Sequence, residues 1–134
     1  YRNARRWREA ASSYRSLLQA QPRNVELLLG LCVCLERSGA RDMALAVLSR
    51  GAAFIGKKSE PYLALGRMLV RASDNEAAAN AFNKASELAP ADPRPLRELS
   101  MLFAKSGVKA MAERFAELAK KLESPQTHKR PERG

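Results

Sequence analysis

Residues 59–92 read SEPYLALGRMLVRASDNEAAANAFNKASELAPAD. Tyr62, Leu65, Gly66 and Leu69 stand at i, i+3, i+4 and i+7, the spacing of one helix face, and Ala78, Phe82 and Ala85 mark a second helix beyond the break at Ser73–Asp74. The frame recurs on both sides. Gly39, Ala44, Leu48 and Gly51 precede Ser73, Ala78, Phe82 and Ala85 by 34 residues, and Gly107, Ala112, Ala116 and Ala119 follow them by 34. Upstream, Ala10, Tyr14, Leu17 and Pro22 fall one period before Ala44, Leu48, Gly51 and Gly56, so the repeat is already under way at residue 1. Leu28, Leu31, Cys32 and Leu35, then Leu96, Leu99, Ser100 and Phe103, restate the first helix face, and no segment sustains the period-2 alternation of a strand.

One hairpin of two helices cannot bury its apolar face alone. Stacking three or more closes a continuous core, which predicts an all-α solenoid of antiparallel helix pairs. Ser38–Gly39, Ser73–Asp74 and Ser106–Gly107 turn the chain inside each unit, while Pro22, Pro61, Pro90, Pro93 and Pro95 break or start helices between units. Helices are expected over about 5–20, 24–37, 41–55, 60–72, 75–89, 94–106 and 109–122. The units are then 1–24, the second helix of a partial repeat; 25–58 and 59–92, two full repeats; and 93–123, a repeat or capping helix pair. Ser124 to Gly134, rich in Pro, Lys and Arg, is expected to be a disordered basic tail. Small residues at Cys32, Gly66 and Ser100, facing Ala44, Ala78 and Ala112, let paired helices approach, and bulky Leu48 and Phe82 fill the remaining space.

Composition narrows the function. The 134 residues carry 24 Lys and Arg against 14 Asp and Glu, a net charge of +10, with 46% hydrophobic residues, enough apolar material for a core. No run reaches the roughly 18 apolar residues of a membrane span, and no signal-peptide pattern opens the chain. Since it starts at Tyr1 and not Met, the chain is expected to be a fragment or processed form, located in the cytoplasm or attached to a membrane through an upstream segment. Cys32 and Cys34, two apart on a helix, point about 200° from each other and cannot bridge. With a single His128 in the tail there are too few ligands for a metal site, so neither metal nor cofactor is expected. The HExxH, GxSxG and GxxxxGK[ST] patterns are missing, and the expectation is a non-enzyme with no catalytic residues.

Ala78-x3-Phe82-x2-Ala85-x4-Pro90, preceded by Tyr62, Leu65, Gly66 and Leu69, resembles a tetratricopeptide repeat at nearly every signature position. The frames at 25–58 and 93–126 match more loosely: Gly51 and Gly56 replace the usual Ala and Pro, and Ala116 replaces the bulky residue. Trp7 to Tyr14 resembles a second repeat helix whose first helix lies upstream. The resemblance implies a right-handed superhelix whose concave groove, lined by the first helix of each repeat, holds a peptide segment of another protein. Carried over by position, the lining is Glu26, Leu29, Val33, Glu36 and Arg37, then Glu60, Leu63, Arg67, Val70 and Arg71, then Arg94, Arg97, Met101 and Lys105. With Glu early, Arg and Lys late and an apolar strip between, it suggests a ligand with apolar anchors whose acidic residues dock toward the C-terminal half. Leu29 and Val33 replace the Lys and Asn that grip chaperone C-termini in some family members, so no dicarboxylate clamp is expected.

Leu29-Gly30-Leu31-Cys32-Val33-Cys34 and Gly56-Lys57-Lys58-Ser59-Glu60-Pro61 are also similar to the class II translocator chaperones of type III secretion, which implies a scaffold or chaperone in a bacterial secretion or pilus assembly system. The net charge of +10 departs from those usually acidic proteins. Two other surfaces are alternatives. Arg2, Arg5, Arg6, Arg8, Arg15 and Arg23 at one end, and Lys120, Lys121, Lys129, Arg130 and Arg133 at the other, can meet anionic lipid or nucleic-acid phosphates. Aromatics interleaved for base stacking are confined to Tyr1, Trp7 and Tyr14, which disfavours nucleic acid. An array that opens mid-unit would expose Trp7, Tyr14 and Leu17 to a second copy.

Overall fold

The computed structural model describes residues 2–123. Seven helices follow one another: α1 (Arg2–Ala20), α2 (Val25–Arg37), α3 (Arg41–Ile55), α4 (Glu60–Arg71), α5 (Asn75–Leu88), α6 (Arg94–Lys105) and α7 (Lys109–Glu123). Internal boundaries fall within a residue of the periodic expectation. The first helix begins three residues earlier, because Arg2, Asn3 and Ala4 carry no breaker. The expected tail, Ser124 to Gly134, lies outside the described residues, as does Tyr1.

The turn inside each repeat is the same device three times. Gly39, Ser73 and Gly107 have φ of 94°, 65° and 83°. The next residue's N–H then donates to a carbonyl five residues back: Ala40 to Leu35, Asp74 to Leu69 and Val108 to Phe103, each at 2.9 Å. This left-handed cap satisfies the orphan carbonyls at the helix end and folds the next helix back antiparallel. Helix starts are equally local. Asn24 Oδ1 accepts from the Leu27 N–H at 3.0 Å and Asp74 Oδ1 from Ala77 at 3.3 Å. Pro61 and Pro95 sit in the first turns of α4 and α6, where a missing N–H costs nothing.

Consecutive helices pack against each other, and α2 also lies against α4, so the first helices of these two repeats share one side. The core divides in two. Leu28, Leu31, Cys32, Leu48 and Met68 anchor the part built by α1 to α4 with Ala81 of α5; Leu63, Phe82, Leu99 and Leu102 anchor the part built by α4 to α7. Among the described residues, no polar or charged side chain is buried.

Small residues set the closest approaches. A Cβ on Gly66 would stand 2.5 Å from Phe82 Cε1, one on Gly51 would stand 2.6 Å from Leu28 Cδ1, and one on Gly30 would stand 2.4 Å from Tyr14 Cε1. In the third hairpin the corresponding Ser100 instead donates its hydroxyl to the Ala112 carbonyl at 2.7 Å, while Ala116, at the position filled by buried Leu48 and Phe82, is exposed. Of the edge expected at α1, Leu17 is exposed, whereas Tyr14 packs onto Gly30 and Trp7 lies beneath the Arg37 guanidinium, 5.1 Å from its ring centre.

Candidate functional site

The surface of α2, α4 and α6 carries the residues marked by the repeat frame. Leu29 is half-buried against the first core cluster, Val33 is 43% exposed, Val70 is half-buried and Met101 is 58% exposed. Glu26, Glu60, Arg67, Arg71, Arg97 and Lys105 are exposed, Glu36 and Arg94 partly so, and Arg37 reaches over Trp7. Leu63 is a correction. At 1% exposure it belongs to the core with Phe82 and Leu99, because the face of α4 that carries it turns toward α5 and α6 and not toward the open side.

The expected separation of early Glu from late Arg does not survive as two charged regions, because the opposite charges find each other across the repeats. Arg71 donates to both Glu36 oxygens, Nε at 2.9 Å and Nη2 at 2.7 Å, and Arg41 Nε joins the same carboxylate at 3.2 Å. Arg41 Nη1 also donates to the Arg71 carbonyl at 3.0 Å. Between the second and third repeats, Arg94 Nη2 contacts Glu60 at 2.6 Å and Asp92 at 2.7 Å, and Arg67 Nε contacts Glu98 at 2.7 Å. Arg97 Nε reaches Glu123 on α7 at 2.8 Å.

The contacts of Arg71 and of Arg94 shift the titration of four groups. Hydrogen bonds from Arg71 hold the Glu36 carboxyl below the ordinary carboxylate range, and Arg94 does the same for Asp92. Reciprocally, Glu36 raises Arg71, and Asp92 followed by Glu60 raises Arg94.

Two hollows open on this side. One, about 300 Å³, is lined by Val70, Glu98, Met101, Leu102, Ala104 and Lys105. The other, an open cleft of about 1040 Å³, runs from Arg67, Arg94, Arg97 and Met101 onto Ala110, Ala116, Glu117 and Lys120 of α7. The contribution of α7 was outside the expected lining, which was confined to first helices. Its signal in the sequence was Ala116, whose small side chain leaves open what Leu48 and Phe82 fill elsewhere. No cluster of three or more His, Cys, Asp or Glu with metal-binding geometry occurs among the described residues. Burial pushes the Cys32 thiol up to about 12, and it raises Cys34 as well, against the pull of Arg37.

The tetratricopeptide repeat family model matches residues 2–68. No curated protein matches the chain. Among solved structures, the crystal structure of MamA superimposes with a TM-score of 0.74 at 23% identity, over 87% of this chain and 68% of that one. MamA residues 41 to the end from Desulfovibrio magneticus RS-1 gives 0.75 at 19% identity, over 90% and 68%. At these identities the structural likeness speaks for the fold. Together with the 34-residue frame and the repeated left-handed turn, the family match establishes that the chain belongs to the tetratricopeptide repeat family, whose arrays serve as protein–protein interaction modules.

Proposed function

We propose that this chain is a non-catalytic adaptor that holds a segment of a partner protein along the face formed by α2, α4 and α6. The observation that carries the reading is exposed Met101 and half-buried Val70 lining the hollow of about 300 Å³, with Val33 exposed on α2 two periods before Met101. Apolar side chains grouped on a concave, polar-rimmed surface are stabilised when a partner's apolar residues remove them from water. Such a surface suits a ligand with apolar anchors, and Lys105 at the rim of the hollow suits an acidic group of the partner. A role in a bacterial assembly or secretion system draws its support from the similarity to translocator chaperones.

The test is affinity capture from the protein's own cells with wild type, with a Val33→Glu/Met101→Glu variant, and with Phe54→Glu, whose side chain is exposed on α3 outside this face. A partner retained by wild type and Phe54→Glu but lost from the double variant is the expected result. An identical set of partners on all three would sink the reading.

A further inference from the structure

Every arginine of α4 and α6 is engaged by a carboxylate of the chain itself: Arg67 by Glu98, Arg71 by Glu36, Arg94 by Glu60 and Asp92, and Arg97 by Glu123. A bulk charge of +10 invites the view that this face attracts acidic partners, but the pairs remove that attraction where the arginines stand. We propose that the face selects a partner segment with apolar side chains and few carboxylates, the chain's own acids occupying the positions an acidic segment would need. This inference rests on the groove reading above and names the chemistry of its ligand.

An incoming carboxylate that displaced Glu36 from Arg71 would exchange one charge-assisted hydrogen bond for another of the same kind. It would also take two hydrogen bonds from Glu36, whose side chain is only 14% exposed, and leave Arg41 as its one remaining cationic partner. The exchange is unfavourable for a second reason. Glu36–Arg71, Glu60–Arg94 and Arg67–Glu98 each join adjacent repeats, so a competing ligand must also loosen the stacking of the array. Apolar contact carries no such penalty, and Val33, Val70 and Met101 present it between the paired charges. Among the described residues, Lys105 is the one cation of α4 and α6 without a carboxylate partner, so it sets the place for a single acidic group.

A fluorescein-labelled decaglutamate peptide is the probe, with binding followed by anisotropy at near-physiological salt. Basic residues away from this face contribute equally in all variants, so the comparison isolates the paired arginines. Arg67→Gln/Arg71→Gln is expected to change affinity for the probe less than twofold from wild type. Glu36→Gln/Glu98→Gln, which releases Arg41, Arg67 and Arg71, is expected to raise it tenfold or more. A tenfold loss in the arginine variant, or no gain in the glutamate variant, overturns the proposal. Should the double glutamate variant fail to fold by circular dichroism, Glu98→Gln alone replaces it, with a threefold gain as the criterion. These readouts do not depend on the partner-capture experiment, so a groove that binds nothing and a groove that prefers acidic ligands give different results.

Discussion

Arg71 reaches back 35 positions to grip Glu36 with two nitrogens, at 2.9 and 2.7 Å, and so fastens the end of one repeat's first helix to the end of the next. Fork geometry of this kind adds direction to attraction, which an isolated Lys–Glu contact lacks. Because Arg71 is half exposed, solvent and salt screen the pair, and its contribution is nearer that of a surface network than of a buried bridge.

Glu36→Gln should therefore lower stability by about 1 kcal/mol at neutral pH. Urea unfolding at low and high salt checks this, the difference from wild type shrinking as salt rises. The acid limb carries the same information. Glu36 and Asp92 have native pKa values below their unfolded values of about 4.3 and 3.9, so near those values the unfolded state binds more protons than the native state. Their stabilisation is complete above the unfolded values and is lost as pH falls through the lowered native ones. Melting temperature should fall below about pH 4, and less steeply in Glu36→Gln.

Ser73 adopts, at φ 65°, the turn conformation that Gly39 and Gly107 supply without a side chain. A left-handed conformation costs a non-glycine residue on the order of 1 kcal/mol, partly offset by the greater freedom of glycine in the unfolded chain. Ser73→Gly is expected to raise stability by about 0.5 kcal/mol. No increase in the denaturation midpoint would mean that Ser73 is unstrained.

Gly66→Ala tests the closest helix approach. A new Cβ would meet the ring of Phe82, which has no exposure to solvent, at 2.5 Å. Overpacking of this kind costs about 1–3 kcal/mol, more than the roughly 1 kcal/mol that alanine returns in helix propensity. A net loss of about 1 kcal/mol is expected, and part of it should return in Gly66→Ala/Phe82→Leu relative to Phe82→Leu alone. Simple additivity in that cycle would place the clash elsewhere.

Cys32 and Cys34 are both buried, with thiols raised by burial. In the native protein at pH 8 neither should react rapidly with an aromatic disulfide reagent, since the thiolate is the attacking form and access is closed. Both should react at once in denaturant. A fast phase in the native protein would contradict the packing of α2.

The architecture was legible because it rests on a pattern written several times: an apolar face in α2, α4 and α6, and turn residues at 39, 73 and 107. The chemistry of the open face was less so. Leu63 passed for a lining residue because position in a repeat does not say how far a helix rolls toward its neighbours, and here it rolls Leu63 into the core. The ion pairs were hidden for a related reason: partners 31 to 35 residues apart meet only once the pitch of the array is set. A hint was present in Glu60 and Arg94, opposite charges one period apart. The cleft on α7 had its hint in Ala116, a small residue where the frame calls for a large one.

Arg94 holds Asp92, in the connector before its own helix, and Glu60, in the preceding repeat, with the same terminal nitrogen. In a linear array each unit touches only its neighbours, so the free energy at the boundaries decides whether units melt singly or as one. By tying connector and neighbour through one side chain, Arg94 makes fraying of the last hairpin release two contacts together, which widens the block that must open at once. Hydrogen exchange in α6 is then a gauge of cooperative length, reporting how much of the molecule unzips when its final unit lets go.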